Sequence, residues 1–445
     1  MNKPVISVGI MSAAEIRFEL NGIFSDREKK QYPGGIFVAR IADHAILLET
    51  NGKESLCGSD LFFQPENWET ATCKLFDVTI GINFHWQKKE DQVFRGGLKL
   101  MAQPDGITAI NVLPVEDYLI SVISSEMSAT SSLEMLKAHA VISRSWLIAQ
   151  TEKGSLIKSR DKKYQSSFQN EAERVKWYDR EDHVEFDVCA DDHCQRYQGI
   201  TRASTTLVEQ AVEQTAGEVL VYDHRLCDTR FSKCCGGFTE LFENTWEPVN
   251  HPYLQRIYDS SEENPEIHTD LTGEEAARAW ILAKPAAFCN TNDKQVLMQV
   301  LNDYDQTTQD FYRWKVSYTD VELGELIRKR IGIDFGIIRD LLPVQRGVSG
   351  RLIKLKIVGS VETMTIGKEL EIRKALSPTH LYSSAFVVEK LKEGEGYRFV
   401  LHGAGWGHGV GLCQIGAAVM GSKGYTYQEI LLHYFRGAIL EKRYS

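Results

Sequence analysis

The stretch from Pro114 to Trp146 constrains the fold most, because it reads as two helices meeting at a corner. Pro114 can serve as the first helical residue, where its missing N–H costs nothing. Val115, Leu119, Val122 and Ile123 then share one face at helical spacing. Ser124-Ser-Glu126-Met-Ser128 ends that face in small polar residues, so Glu126 is expected at or just past a helix end. Ser131 with Glu134 spells a capping box for a second helix. Its apolar side is Leu133, Leu136, Ala140, Val141 and Leu147. Lys137 and Arg144 lie two turns apart on that helix and are expected to project in one direction. The result is an acid at a helix–helix corner, followed by two cations. Spacing alone favours a plain reading, a solvated loop acid and a solvated helix face, since exposed charge is the default for these residue types.

At 445 residues the chain exceeds the usual single-domain size, which predicts two or three domains. The predicted class is α+β: a mixed α/β catalytic core with a β-rich N-terminal region and an inserted smaller α+β domain. Residues 1–105 form the β-rich region, 106–264 with 391–445 the core, and 265–390 the insertion. The N-terminal strands include Pro4-Val-Ile-Ser-Val-Gly-Ile, Gly35-Ile-Phe-Val-Ala-Arg-Ile, Ala45-Ile-Leu-Leu and Thr79 to Trp86. Lys158 to Arg174 is polar and is expected to be a surface excursion. Gly217 to Tyr222 and Asp228 to Glu240 read as a hairpin ending in the Gly236-Gly237 turn.

A net charge of −10 argues against nucleic acid as a partner, because phosphate binding needs clustered Lys and Arg. No run of 18 or more apolar residues is present, so no transmembrane segment is expected. The N-terminus has no long apolar core before a small-residue cleavage site. On this reading either an export signal is not in this sequence or the protein works inside the cell.

The nine cysteines are an odd number scattered over a large chain, which is not a disulfide framework. Two of them fall in His183-Val-Glu-Phe-Asp-Val-Cys189-Ala-Asp-Asp-His193-Cys194. His183, Cys189 and Cys194, with His193 as a further candidate, have spacings that can hold a structural Zn²⁺. A Cys189–Cys194 disulfide, or free thiols in a turn, are the alternatives.

Near the C-terminus, Tyr397 to Leu401 reads as a strand, Gly403 to Gly411 is glycine-rich, and Leu412 to Met420 reads as a helix. That order invites a nucleotide-binding reading, but no register gives Gly-x-Gly-x-x-Gly. Starting at Gly403, Gly405, Gly407 or Gly409, the sixth residue is His408, Val410, Leu412 or Gln414. Phosphate cradling is therefore rejected and no organic cofactor is expected. The glycines read instead as places of close backbone approach. His408, framed by glycines, suits either a ligand groove or a packed core.

Four blocks in order carry a resemblance. They are Glu116-Asp-Tyr-Leu…Ser125-Glu126-Met…Leu136-Lys-Ala-His-Ala-Val-x-x-Arg144-Ser-Trp146; Cys235-Gly-Gly-x-Thr-Glu240 with Trp246 and Pro252-Tyr-Leu254; His402-Gly-Ala-Gly-Trp-Gly-His-Gly-Val-Gly-Leu-Cys-Gln-Ile-Gly-Ala417; and Ile430-Leu-Leu-His-Tyr-Phe-Arg-Gly437. Together they resemble the stage II sporulation protein D/LytB family. The resemblance implies a lytic transglycosylase that cuts peptidoglycan glycan strands, with Glu126 as catalytic acid. It also implies that polar groups at Lys233 and Glu240 line a glycan groove, and that zinc sits at a cluster comparable to His183/Cys189/Cys194. The family pattern has one cysteine before Gly-Gly, and nothing in the sequence accounts for the doubling by Cys234. With so acidic a chain, recognition of an anionic saccharide must be local, through groups such as Lys137 and Arg144. The substrate class would place the protein at the cell envelope or periplasm, with the cytoplasm left open.

A hydrolytic glycosidase needs two carboxylates flanking the bond. Glu116 and Asp117 lie about 15 Å back along a regular helix, too far to pair with Glu126. One carboxyl is enough if the muramoyl C6 hydroxyl is the nucleophile and a 1,6-anhydro ring is the product. Met127 and nearby tryptophans are expected to wall such an acid. The alternative is a non-catalytic glycan-binding protein that enhances a separate cell-wall amidase. A third reading is a zinc hydrolase built on His183, Cys189 and Cys194.

Overall fold

The computed structural model describes residues 4–81, 87–127, 131–157, 167–177, 183–191, 193–201, 205–261, 269–300 and 310–444. The fold is α+β and rich in strands. Two sheets, antiparallel except where Val188–Cys189 joins Val5–Ala13 in parallel, take up the N-terminal third. One is built around Val5–Ala13, Gly106–Pro114, Gly97–Gln103 and Asp60–Pro65; the other around Lys88–Arg95, Thr72–Ile80, Glu15–Asn21, Gly35–Ala42 and Ala45–Thr50. Period-two alternation makes them: in Glu15–Asn21, Ile16, Phe18 and Leu20 turn inward while Glu15, Arg17 and Asn21 stay exposed. Phe18 from one sheet meets Phe63 from the other at 5.3 Å between ring centroids. Of the expected strand Thr79 to Trp86, residues 82–86 lie outside those described.

The N-terminal sheets do not stand apart from the central helices. Val5–Ala13 pairs with Gly106–Pro114, and that strand runs directly into helix α1, Val115–Glu126. Pro114 is the cap preceding α1, not its first residue. Val115, Leu119, Val122 and Ile123 are fully buried in the same apolar core as Phe18 and Phe63. Each such side chain contributes about 1.5–3 kcal/mol before conformational entropy is charged against it. Helix α2, Leu133–Ile157, buries Leu136, Ala140, Val141 and Leu147. Its cap differs from the expected Ser131/Glu134 box. The Ser132 hydroxyl accepts the Met135 N–H at 3.3 Å, while the Ser131 hydroxyl donates to the Gln299 carbonyl. Glu134 instead accepts from Lys137 and from the Tyr427 N–H.

A second apolar cluster joins Trp314, Leu323, Ile327, Leu355, Ile366, Phe386, Phe399 and Leu401. Around it lie the three-stranded sheet Arg313–Thr319, Gly396–Ala404 and Phe386–Glu393, and a sheet containing Ile338–Arg346, Leu352–Gly359 and Thr363–Gly367. Part of the polar stretch expected as a surface excursion enters that second sheet, since Glu173–Lys176 pairs in parallel with Thr363–Gly367. Residues 158–166 of the stretch lie outside those described. The expected hairpin through Asp228 to Glu240 is also replaced. Phe231–Ser232 pairs in parallel with Leu412–Cys413 from the glycine-rich block. Gly411 permits this: its φ is +74°, and a Cβ there would lie 2.1 Å from the Arg230 carbonyl oxygen.

Candidate active-site cleft

Glu126 is the last residue of α1, so the helix delivers its carboxylate to the corner before α2. Its Oε1 accepts the Arg196 backbone N–H at 3.2 Å. The side chain lines a cleft of about 210 Å³ with Trp146, Gln195, Thr229, Arg230, Phe231, Trp246 and His408, and His193 and Cys194 form one edge. Among the described residues lining this cleft, Glu126 is the only carboxylate.

The wall opposite is a stacked, hydrogen-bonded unit. Arg230 makes a two-pronged bond to Asp228, at 2.6 and 2.9 Å. Its guanidinium carbon lies 4.1 Å from the Trp246 ring centroid. Asp228 and Arg230 stand two residues apart in the segment just before the strand Phe231–Ser232. The His408 ring packs edge-on to Trp246 at 5.1 Å. The Val410 N–H donates to His408 Nδ1 at 3.0 Å. An acceptor at Nδ1 requires the proton on Nε2. Burial, and then the neighbouring Arg230, hold the His408 pKa well below the ordinary histidine range. His408 is thus a neutral imidazole on the cleft wall.

The other residues expected here have different roles. Arg144 is fully buried and grips Glu116, with Nη2–Oε2 at 2.6 Å and Nε–Oε1 at 3.1 Å. Its Nη1 also donates to the Glu218 carbonyl. It ties α1 to α2 and to the strand Glu218–Tyr222, two helical turns from Lys137. Lys137 bonds Glu134 at 2.9 Å and lies over the Tyr427 ring, docking the helix Tyr427–Tyr434. Lys233 donates to the Val300 carbonyl at 2.9 Å. Glu240 is buried and accepts four hydrogen bonds, from the Leu241 N–H, Asn244 Nδ2, the Ser349 N–H and the Ser349 hydroxyl. None of these four lines the cleft with Glu126. Met127 also turns away, 2% exposed, with Gln414 Nε2 against its sulfur. The apolar wall is Trp146, Phe231 and Trp246.

His183, Cys189, His193 and Cys194 each offer a donor atom, and all four atoms lie within 4.8 Å of one another. Both cysteines are free thiols, so the disulfide alternative is not formed. Cys194 Sγ lies 3.5 Å from His183 Nε2 and 3.6 Å from His193 Nδ1, and Cys189 Sγ lies 3.8 Å from His193 Nδ1. Bonds of about 2.0–2.3 Å in a tetrahedron put ligand atoms about 3.3–3.8 Å apart, so this donor set fits Zn²⁺. The Cys194 sulfur, then His183 and His193, lower the Cys189 pKa against the effect of burial. The cluster adjoins Glu126, because Arg196, whose N–H holds Oε1, follows Cys194 by two residues.

The sequence led to the expectation that nearby tryptophans wall the acid, and Trp146 and Trp246 do line the cleft, but it did not single out Arg230.

Residues 103–222 match the Stage II sporulation protein family, SpoIID, and residues 240–411 match a domain of unknown function, DUF8618. An uncharacterized protein of Brachyspira hyodysenteriae is 26% identical over 344 residues, covering 77% of this chain and 71% of that protein. The amidase enhancer of Bacillus subtilis is 26% identical over 336 residues, 72% of this chain but 40% of that relative. Stage II sporulation protein D of Bacillus subtilis is 22% identical over 339 residues, covering 74% of this chain and 75% of that protein. With the corner motif, the double-glycine turn and the glycine-rich block now placed in one structure, the chain is similar to the SpoIID-like proteins, through the family match over residues 103–222 and these relatives.

Proposed function

We propose that the chain binds peptidoglycan glycan strands in this cleft and cuts them as a lytic transglycosylase, with Glu126 as its single acid–base group. Its relatives fit a cell-wall-related role. The observation that carries the finer reading is the lone carboxylate in a cleft walled by Trp146, Trp246, Arg230 and His408. Aromatic faces suit the apolar faces of sugar rings. Arg230, fixed in place by Asp228, offers guanidinium N–H donors to a muramoyl carboxylate, and His408 a neutral ring at the same wall.

The step balances without water. Glu126 as the acid gives its proton to the glycosidic oxygen as the C1–O bond breaks. The C6 hydroxyl oxygen bonds C1 and closes the 1,6-anhydro ring. The C6 proton returns to the Glu126 carboxylate, restoring the acid. A hydrolase would need a second carboxylate to activate water or to form a glycosyl intermediate.

We place Zn²⁺ at His183, Cys189, His193 and Cys194 as a structural ion. Four protein donors fill a tetrahedral ion, which speaks against the zinc-hydrolase reading, since that chemistry keeps an open position. Bound there, the ion would fix the segment whose Arg196 N–H orients Glu126. The substrate class would place the protein at the cell envelope.

The second reading is the amidase enhancer, favoured by the name of the Bacillus subtilis relative. In it the cleft only binds glycan and a separate amidase cuts. Purified protein incubated alone with peptide-free glycan strands separates the two. Anhydro-muramoyl ends detected by mass spectrometry are the expected result. Binding without new ends would replace the transglycosylase with the enhancer.

A further inference from the structure

Behind the cleft wall lies a second group of metal-binding side chains that the proposed chemistry does not use. Cys235, Asp259, Cys289 and Cys413 present one donor atom each, all within 4.8 Å of one another, and all four residues are buried. The fold gathers them from four separate segments: the Gly-Gly turn, the loop after Tyr258, the loop after helix Glu274–Leu282, and the end of strand Leu412–Cys413. No sequence spacing announces the group.

We propose that these four residues form a second, structural metal centre that takes a tetrahedral, thiophilic divalent ion of the zinc type. Cys235 Sγ lies 3.6 Å from Cys289 Sγ and 3.5 Å from Asp259 Oδ2. Tetrahedral bonds of about 2.0–2.3 Å predict just such separations, and three sulfurs with one oxygen suit Zn²⁺. The surrounding shell is of the kind that orients ligands. The Cys235 N–H points at Cys413 Sγ at 3.2 Å, and the Cys289 N–H donates to Asp259 Oδ2 at 3.1 Å. The Tyr434 hydroxyl donates to Asp259 Oδ1 at 2.7 Å, with His433 Nε2 at 3.8 Å from the same oxygen. A buried carboxylate among thiols is costly unless something supplies positive charge, and a divalent ion supplies it at the centre of the four donors. Cys234 is buried beside Cys289 and Cys413 but stands outside the set of four. The doubled cysteine is then a neighbour of the centre and not a ligand.

The centre would brace the cleft from behind. Gln414 follows Cys413, and its Nε2 meets His139 Nε2 at 3.2 Å and Met127 Sδ at 3.7 Å, next to Glu126. Phe231 and His408 belong to the two segments that Cys235 and Cys413 would tie together.

The test uses the full chain with Cys189→Ser and Cys194→Ser, which removes the cluster at the cleft edge. After dialysis against metal-free buffer it is expected to retain about one equivalent of zinc per chain. Replacement by Co²⁺ is expected to give thiolate-to-metal charge-transfer bands and the visible bands of a tetrahedral ion. Adding Cys289→Ser takes the metal to zero, whereas adding Cys234→Ser leaves it unchanged. A folded double variant with no metal overturns the proposal, as does a Cys235–Cys289 disulfide in non-reducing peptide maps. Should the double variant not fold, the otherwise unaltered chain loaded with ¹¹³Cd decides. A resonance that Asp259→Asn shifts and His183→Ala does not is expected, and its absence overturns the assignment.

Discussion

Glu126 and Glu240 both belong to motifs that the family resemblance marks, yet they are built for opposite purposes. Glu240 is 1% exposed and its two oxygens accept four hydrogen bonds, two of them from Ser349 across the join with the second core. Glu126 takes one backbone N–H and otherwise lines a cleft among tryptophans. A carboxylate whose lone pairs are filled by fixed donors holds two segments together. A carboxylate with one fixed donor is positioned and still open to a substrate. Glu116 is a third case, buried and claimed by Arg144. Motif membership alone does not distinguish these three acids; their hydrogen-bond partners do.

Glu126→Gln puts the largest effect on this contrast. It keeps the shape and the bond from Arg196 but cannot shuttle a proton. Release of anhydro-ended fragments is expected to fall by roughly 10²–10⁴-fold, the usual worth of a general acid–base group. Stability should stay within about 0.5 kcal/mol, as a denaturant titration would report. Arg144→Met does the reverse. It strands Glu116 in the core, so unfolding free energy should drop by about 3–5 kcal/mol, while the activity of the remaining folded molecules persists. Glu240→Gln is smaller. Its amide NH₂ must face donors where an oxygen stood, costing about 1–3 kcal/mol of stability and leaving glycan cleavage unchanged below the transition. A variant at Glu240 that kept full stability but lost cleavage would break the contrast drawn here.

The smallest effect is on pH dependence. His139 is fully buried, its Nε2 faced by the Gln414 amide and its Nδ1 near the Ser143 hydroxyl, and burial pushes its pKa down to about 3. The unfolded chain protonates this histidine near the ordinary 6.5 while the folded chain refuses the proton. Stability is therefore intact above about pH 6.5 and is lost as pH falls toward 3, by about 1.4 kcal/mol per pH unit for one such group. His139→Gln should make the fall of melting temperature between pH 6.5 and 4 shallower. An unchanged slope would show that His139 is not held neutral.

The corner between α1 and α2 was legible in the sequence because apolar periodicity and the break in it are local signals. Val115, Leu119, Val122 and Ile123 face the core, and Glu126 closes the helix. The α+β class and its abundance of strands were legible for the same reason. What surrounds Glu126 was not, since apart from Trp146 the cleft wall comes from residues about 70 to 280 positions further on. Lys137 and Arg144 were read as a pair because seven residues make two turns, but that face of the long helix is covered by other elements of the fold. Arg144 found Glu116, and Lys137 found Glu134 and Tyr427. The parallel pairing of Phe231–Ser232 with Leu412–Cys413 leaves no local trace either. That pairing places His408 in the cleft and brings Cys235 beside Cys413.

The central claim is that one carboxylate suffices because the sugar supplies its own nucleophile. Digesting glycan strands with the purified protein in H₂¹⁸O tests it directly. New muramoyl ends that carry no ¹⁸O, and have the mass of the anhydro form, are the predicted result. Ends that carry ¹⁸O would mean that water attacks C1, and would contradict a mechanism that gives Glu126 no acidic partner.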